Sequence, residues 1–134
     1  VTEVSAAILR REGKILICRR PAGGSCPLLW EFPGGKREPG ETPEQCLKRE
    51  CAEELGITVR PLRLFDEARY RYPSREVHLL FFEAEILYGR PERRVHGEML
   101  WAAPEALGAY PFCPADAGVV EKLRAQARGN GKAI

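Results

Sequence analysis

The chain has 134 residues, enough to bury one real hydrophobic core and too few to hold a second domain. Its 21 basic and 19 acidic side chains leave a net charge of +2, and the basic ones are scattered, which excludes the basic stripe of a nucleic-acid surface. The five cysteines, Cys18, Cys26, Cys46, Cys51 and Cys113, are odd in number and lack C-x-x-C spacing, which argues against zinc and a disulfide framework and points to a cytoplasmic compartment, as does the lack of a signal peptide or membrane-spanning run.

The chain opens on Val1, without an initiating methionine, so trimmed ends are expected. Val4, Ala6 and Ile8 alternate with polar or small residues, which predicts a strand from Thr2 to Arg10. Arg11-Glu12-Gly13 reads as a hairpin turn and Lys14 to Cys18 as the returning strand. Arg20 to Leu28, with Pro21, Gly23, Gly24 and Pro27, reads as a loop. Trp30-Glu31-Phe32 reads as a short strand, and Pro33-Gly34-Gly35 as a turn whose bare backbone lets a ligand approach closely. After a helix that starts at Pro43, Thr58 to Tyr72 holds one or two strands with a break near Pro61, and Pro73-Ser74 turns the chain. From Glu76 to Leu87, Val77, Leu79 and Phe81 lie on one face and Leu80, Phe82 and Ala84 on the other, the pattern of a central strand covered on both sides. Arg90, Arg93 and Arg94 form the one local basic cluster and read as a solvated hairpin end. Glu98 to Ala102 is a short strand, Pro104 to Leu107 a brief helix, and Ala115 to Ala127 a terminal helix with Val119, Val120 and Leu123 inward. Residues 128–134 are expected to fray, within one domain that spans 1–134.

The helix after Pro43 carries the strongest signal. Thr42 suits the N-cap, Pro43 the first helical position, Gln45 completes a T-x-x-Q capping box, and Gly56 is the natural stop. Leu47, Cys51 and Leu55 form its buried stripe. Glu50, Glu53 and Glu54 fall on the neighbouring face, within an arc of about 100° at about 100° per residue. Like charges so placed repel by a few tenths of a kcal/mol per pair, so a helix that keeps three together suits a cation, and hard oxygen ligands suit Mg²⁺ or Mn²⁺ better than zinc. A solvated acidic face is the plain alternative for an isolated E-x-x-E-E.

The flanking residues decide against that alternative. Gly35, five residues, Glu41, seven residues, then Arg49-Glu50-Cys51-Ala52-Glu53-Glu54-Leu55-Gly56-Ile57 resembles the Nudix box, G-x5-E-x7-R-E-U-x-E-E-x-G-U with U a bulky apolar residue, at every fixed position; Cys51 is an unusual apolar choice at the first U. Trp30-Glu31-Phe32-Pro33-Gly34-Gly35-Lys36 is similar to the E-F-P-G-G-K segment of the MutT-like branch, and Pro111-Phe112-Cys113-Pro114-Ala115-Asp116 to its P-P-A-N/D segment. The resemblance implies an α/β/α sandwich around a central mixed sheet and Mg²⁺-dependent hydrolysis of a nucleoside diphosphate linked to a group X, which in this branch is typically phosphate or pyrophosphate. It places Glu50, Glu53 and Glu54 at the metal positions, with a further ligand from the Gly34 or Gly35 carbonyl.

Phosphoanhydride hydrolysis needs the phosphate charge neutralised, a water positioned and its proton accepted. The proton acceptor is sought among the box glutamates, Glu53 and Glu50 foremost, or in the loop glutamate Glu98, which reads equally as a surface carboxylate. MutT-like members often carry a glutamate just before the residue matching His96, where this chain has Val95, so the choice stays open; His96 itself reads as a surface or packing residue. Glu41 reads as a brace between loop and helix, and Arg49 as an orienter of carboxylates. Arg20 matches a phosphate-contacting position, with Arg19 as the alternative because a strand alternates its side chains. Asp116 and Arg75 match base-side positions, and Phe32 and Phe112 are candidates to pack against a base or to serve as core. Where MutT proteins specific for 8-oxo-dGTP carry asparagine, an ionised Asp116 only accepts hydrogen bonds and so favours N–H-bearing base edges, whereas a protonated one also donates; helix capping is its structural alternative.

The resulting expectation is a nucleoside triphosphate pyrophosphohydrolase acting in nucleotide-pool sanitation on 8-oxo-dGTP, or on CTP, dCTP and their modified forms, as a monomer or homodimer without a nucleic-acid polymer or membrane partner. A Nudix hydrolase of another nucleoside diphosphate-X, or a non-catalytic nucleotide-binding regulator, are the alternatives.

Overall fold

The computed structural model describes residues 1–132. Seven strands and two helices follow in the order β1 (Thr2–Arg11), β2 (Lys14–Arg19), β3 (Trp30–Glu31), β4 (Gly34–Lys36), α1 (Pro43–Leu55), β5 (Thr58–Tyr72), β6 (Arg75–Tyr88), β7 (Glu98–Ala102) and α2 (Ala117–Lys132), with 3₁₀ turns at Pro104–Ala109 and Pro114–Asp116. The sheet is mixed. Its main path runs β3-β2-β1-β6-β5, with β4 added on β1 and β7 on β2. Its centre is the parallel pair β1–β6, in register from Thr2 with Val77 to Leu9 with Ala84, and β5 pairs antiparallel on the outer side of β6.

The period-2 pattern of the central strands explains the layers. Ala6 and Ile8 of β1, Ile15 and Ile17 of β2, and Val77, Leu79 and Phe81 of β6 face one core, closed by Val119, Val120 and Leu123 of α2. Ala7, Leu9, Leu16, Cys18, Leu80, Phe82 and Ala84 face the other, closed by Leu47, Cys51 and Leu55 of α1. Each large apolar side chain fully buried in either layer contributes about 1.5–3 kcal/mol relative to exposure. The result is an α/β/α sandwich. Among the described residues no helix is long and apolar enough to cross a membrane.

Three local expectations change and one, for Thr58–Tyr72, narrows within its bounds. Pro33-Gly34-Gly35 is not a free turn: Gly34 and Gly35 belong to β4, paired with Ala6 and Ser5 of β1. A Cβ on Gly34 would stand 1.9 Å from the Ser5 carbonyl oxygen, so close approach to β1 is what demands glycine there. Thr58–Tyr72 is one strand, whose register shifts, one of them at Pro61/Arg63, absorb the proline. Asp116 closes a 3₁₀ turn, so the terminal helix begins at Ala117 rather than Ala115. That helix continues past Ala127 to Lys132, where fraying was expected from Arg128; the Arg10 guanidinium donates to Gln126 at 3.1 Å and ties its later turns to β1. The last two residues of the expected frayed end, 133 and 134, lie outside the described residues.

Candidate active site

The ends of α1 are built as its residues dictate. The Gln45 N–H donates to Thr42 Oγ1 at 3.1 Å and the Thr42 N–H to Gln45 Oε1 at 2.8 Å, a complete capping box. Gly56 ends the helix in the left-handed region at φ 69°, where glycine bears no Cβ penalty. The buried Ser5 hydroxyl donates to the Pro43 carbonyl at 2.8 Å and holds the first turn against β1. These contacts fix the direction in which the glutamates project.

Arg49 organises them. Its Nε and Nη2 donate to the two oxygens of Glu41 at 2.6 and 3.0 Å, a fork-to-fork pair. Its Nη1 donates to Glu50 at 2.7 Å and to Glu53 at 3.2 Å, and Nη2 also reaches the Lys36 carbonyl at 3.0 Å. The Glu38 N–H adds a 2.8 Å bond to Glu41, so Glu41 braces the loop onto the helix, and the Arg49 guanidinium holds its carboxyl down at about 2. Glu50 lies against Gly35 so closely that a Cβ there would sit 2.2 Å from its carboxyl carbon. The Gly35 carbonyl accepts a 3.4 Å bond from the Cys46 thiol.

Glu54 lies deeper. Burial pushes its carboxyl up to about 7, against the opposing pull of His96 and the Gly34 N–H, while Glu50 and Glu31 add to the rise. Burial also raises Glu50, partly offset by Arg49. Among the described residues Glu54 Oε1 is buried with no hydrogen-bond partner. A buried carboxylate oxygen left unpaired beside a second raised carboxylate costs free energy that a divalent cation would remove. Among the described residues no three His, Cys, Asp or Glu side chains already converge as a metal cage, because the Arg49 cation bridges Glu50 and Glu53. An all-oxygen face that supplies few protein ligands suits Mg²⁺, which keeps several of its waters.

Across the groove stands a second cluster. Arg20 Nη1 donates to Glu31 Oε1 at 2.8 Å, and His96 Nε2 pairs with Glu31 Oε2 at 3.1 Å. Trp30 bonds Pro111 and Cys113 through its backbone, both at 2.9 Å, and so carries the 111–116 segment to β3. Asp116 ends up 3% exposed. Burial raises its carboxyl well above the usual carboxylate range and the Glu31 charge adds to this, while the Phe32 N–H and Arg20 pull the other way. A protonated Asp116 both donates and accepts.

One cavity of about 330 Å³ joins the two clusters, lined by Arg20, Glu31, Phe32, Gly34, Gly35, Lys36, Glu50, Glu54, Arg75 and Asp116 among others. A neighbouring one of about 710 Å³ shares Arg20, Glu31, Lys36, Arg75 and Asp116 with it. The structure thus brings together Glu50, Glu54, Gly34, Gly35, Arg20, Phe32, Arg75 and Asp116. Glu53 stands at the rim, its side chain 59% exposed. Arg19 turns outward to pair with Glu98 at 3.7 Å, and neither lines the groove. Phe32 packs edge-on against Phe81, while Phe112 stacks on Phe32 at 5.3 Å and stays outside the groove lining. A separate cavity of about 520 Å³, lined by Arg10, Glu83 and Tyr88 among others, holds none of the predicted site residues. Sequence reasoning missed two members of the site. Glu31 was read as part of a short strand and of the E-F-P-G-G-K resemblance, with no role of its own, and His96, expected at the surface or in packing, is buried and bonded to it; the two are 65 positions apart and nothing local links them.

A NUDIX domain model matches residues 1–132. The chain is 38% identical over 123 residues to the CTP pyrophosphohydrolase of Escherichia coli K12, covering 92% of this chain and 91% of that one. It is 37% identical over 124 residues to the 8-oxo-dGTP diphosphatase of Haemophilus influenzae, covering 92% and 91%. Among solved structures, that of the Escherichia coli ORF135 protein superposes with a TM-score of 0.80 at 37% identity, covering 92% of this chain and 89% of that one.

Proposed function

The chain belongs to the NUDIX family and is a Nudix hydrolase, and on that premise we propose that it hydrolyses nucleoside triphosphates to a nucleoside monophosphate and pyrophosphate with Mg²⁺ or Mn²⁺. The substrates proposed are 8-oxo-dGTP, or CTP, dCTP and their modified forms. One observation carries this reading: a single groove has the glutamates of α1 on one side and Arg20, Arg75 and Asp116 on the other. Two relatives with the activities just named support it.

Glu50, Glu53 and Glu54 would hold the metal, which when bound supplies charge neutralisation and Lewis acidity at the phosphates. Arg49 holds Glu50 and Glu53 in place, and Glu53, the most exposed of the three, is the carboxylate assigned to accept the water's proton. Arg20 and Arg75 offer cations to the phosphate chain. Phe32 supplies an apolar floor, and Asp116, buried and able to donate and accept, reads the edge of the base. Glu98 has no part in this scheme, because it faces Arg19 outside the groove.

The test is a turnover screen of normal, oxidised and methylated nucleoside triphosphates with Mg²⁺, scored for monophosphate and pyrophosphate. Release of both from at least one candidate is expected. Turnover confined to sugar-linked or dinucleoside diphosphates would reject the reading.

A further inference from the structure

His96 is an unusual residue for the segment that carries it. The run from Arg90 to Gly97 is otherwise largely exposed and charged, yet the His96 side chain is 2% exposed. Its backbone setting is tight. The Gly97 N–H donates to the Arg19 carbonyl at 2.9 Å, and the Arg93 guanidinium donates to the Gly97 carbonyl. The ring reaches Glu31 Oε2 at 3.1 Å through Nε2, and among the described residues its Nδ1 is buried without a partner. A carboxylate oxygen accepts, so Nε2 is the donor in this contact. The other oxygen of Glu31 is held by Arg20 at 2.8 Å, and Arg20 is itself bound to the Ser25 carbonyl at 2.7 Å. Glu31 is therefore gripped from both sides in the wall shared by the two cavities, next to Asp116. Without the ring, one oxygen of Glu31 loses its donor and the carboxylate is free to turn towards the groove.

We propose that His96 is a positioning residue: by holding Glu31 opposite Arg20, it fixes the wall beside Asp116 and so sets which nucleotide base the groove accepts. This rests on the reading of the groove as a nucleotide site. The 90–97 segment reaches that site through His96, not through Glu98. The phosphate-cleaving side is built from α1 and β4, so selectivity should depend on His96 more than the rate of cleavage does.

The experiment compares His96→Leu, His96→Gln, Glu31→Gln and the double variant His96→Leu/Glu31→Gln, with kcat and KM measured over the same nucleotide panel. His96→Leu is expected to raise KM for the preferred nucleotide about tenfold and to narrow its preference over the next nucleotide by a similar factor, with kcat held within about threefold. His96→Gln, whose amide N–H can still reach Glu31, should recover most of the loss. Glu31→Gln should lose selectivity likewise, and the double variant should be no worse than Glu31→Gln, because both changes break one contact. A fall in kcat at unchanged KM, effects that multiply in the double variant, or equal damage from Leu and Gln would overturn the proposal. If His96→Leu melts out under assay conditions, the ¹⁵N shifts of the His96 ring decide: they must move in Glu31→Gln, and unmoved shifts reject the contact. No turnover by the unaltered protein would remove the nucleotide reading itself, whereas turnover with selectivity unchanged in His96→Leu removes only the role given to His96.

Discussion

Burial raises the carboxyl of Glu54, one of the three glutamates proposed to hold the metal. In the unfolded chain it titrates near 4.5, and in the folded protein burial pushes it up to about 7. Between those values the folded state binds the extra proton, so Glu54 lowers stability as pH rises through that window. The loss is on the order of 2–3 kcal/mol, and Asp116, also raised, has the same sign. Glu41 acts in a separate window: held at about 2, its contribution is present above 4.5 and lost as pH falls towards 2. The metal-free protein should therefore melt at a lower temperature at pH 8 than at pH 5.5. Glu54→Gln should flatten that slope, and Mg²⁺ should raise the melting temperature at pH 8 in the unaltered protein but much less in Glu54→Gln; calorimetry at the two pH values checks all three. Glu53 is exposed, and Glu53→Gln should leave the melt unchanged while lowering turnover by at least about 10²-fold. Equal activity in this variant would assign the proton acceptor elsewhere.

At the level of elements, α1 was legible almost to the atom. The T-x-x-Q box, the proline at the first position, the glycine stop and the apolar stripe are local rules, and local rules are what sequence carries. Thr42→Ala removes one side of the box and should cost about 1 kcal/mol in denaturant unfolding, with little effect on substrate choice. Arg49→Lys tests the other local device. Lysine cannot reproduce the fork that grips Glu41 while also bridging Glu50 and Glu53, so turnover should fall about tenfold or more with the circular dichroism unchanged. β4 was not legible. Pro33-Gly34-Gly35 has turn composition, yet the two glycines pair with β1 as a strand; a Cβ at Gly34 would strike the β1 backbone, and one at Gly35 would meet the Glu50 carboxyl. Gly35→Ala should displace the Glu50 carboxylate and abolish Mg²⁺-dependent turnover; an active Gly35→Ala enzyme would show that Glu50 can move without harm.

The whole molecule explains which parts of the site stayed hidden. The alternation in residues 76–87 announced a central strand covered on both faces, and β6 is one, because β1 pairs parallel beside it and a helix packs on each side. The groove is lined from β1, the segment after β2, β3, β4, α1, β6 and the turn at Pro114–Asp116, with the 90–97 segment behind Glu31. Its contacts join residues as far apart as Glu31 and His96, so the resemblance could mark Arg20 and Asp116 as candidates and Glu31 within a segment, but spacing along the chain could not show that His96 pairs with Glu31. The same assembly put Glu98 outside, because the register of β7 on β2 sets it opposite Arg19. The proposed function unites these parts: a divalent cation would be held on the acidic face of α1 while the far wall would hold a nucleotide. The most direct measurement is a magnesium titration of pyrophosphate release from 8-oxo-dGTP and CTP, followed by ³¹P NMR, for the unaltered chain and for a Glu50→Gln/Glu53→Gln/Glu54→Gln variant. Release that rises from zero with magnesium and vanishes in the triple variant is the expected result; release in excess chelator, or undiminished in the triple variant, would contradict it.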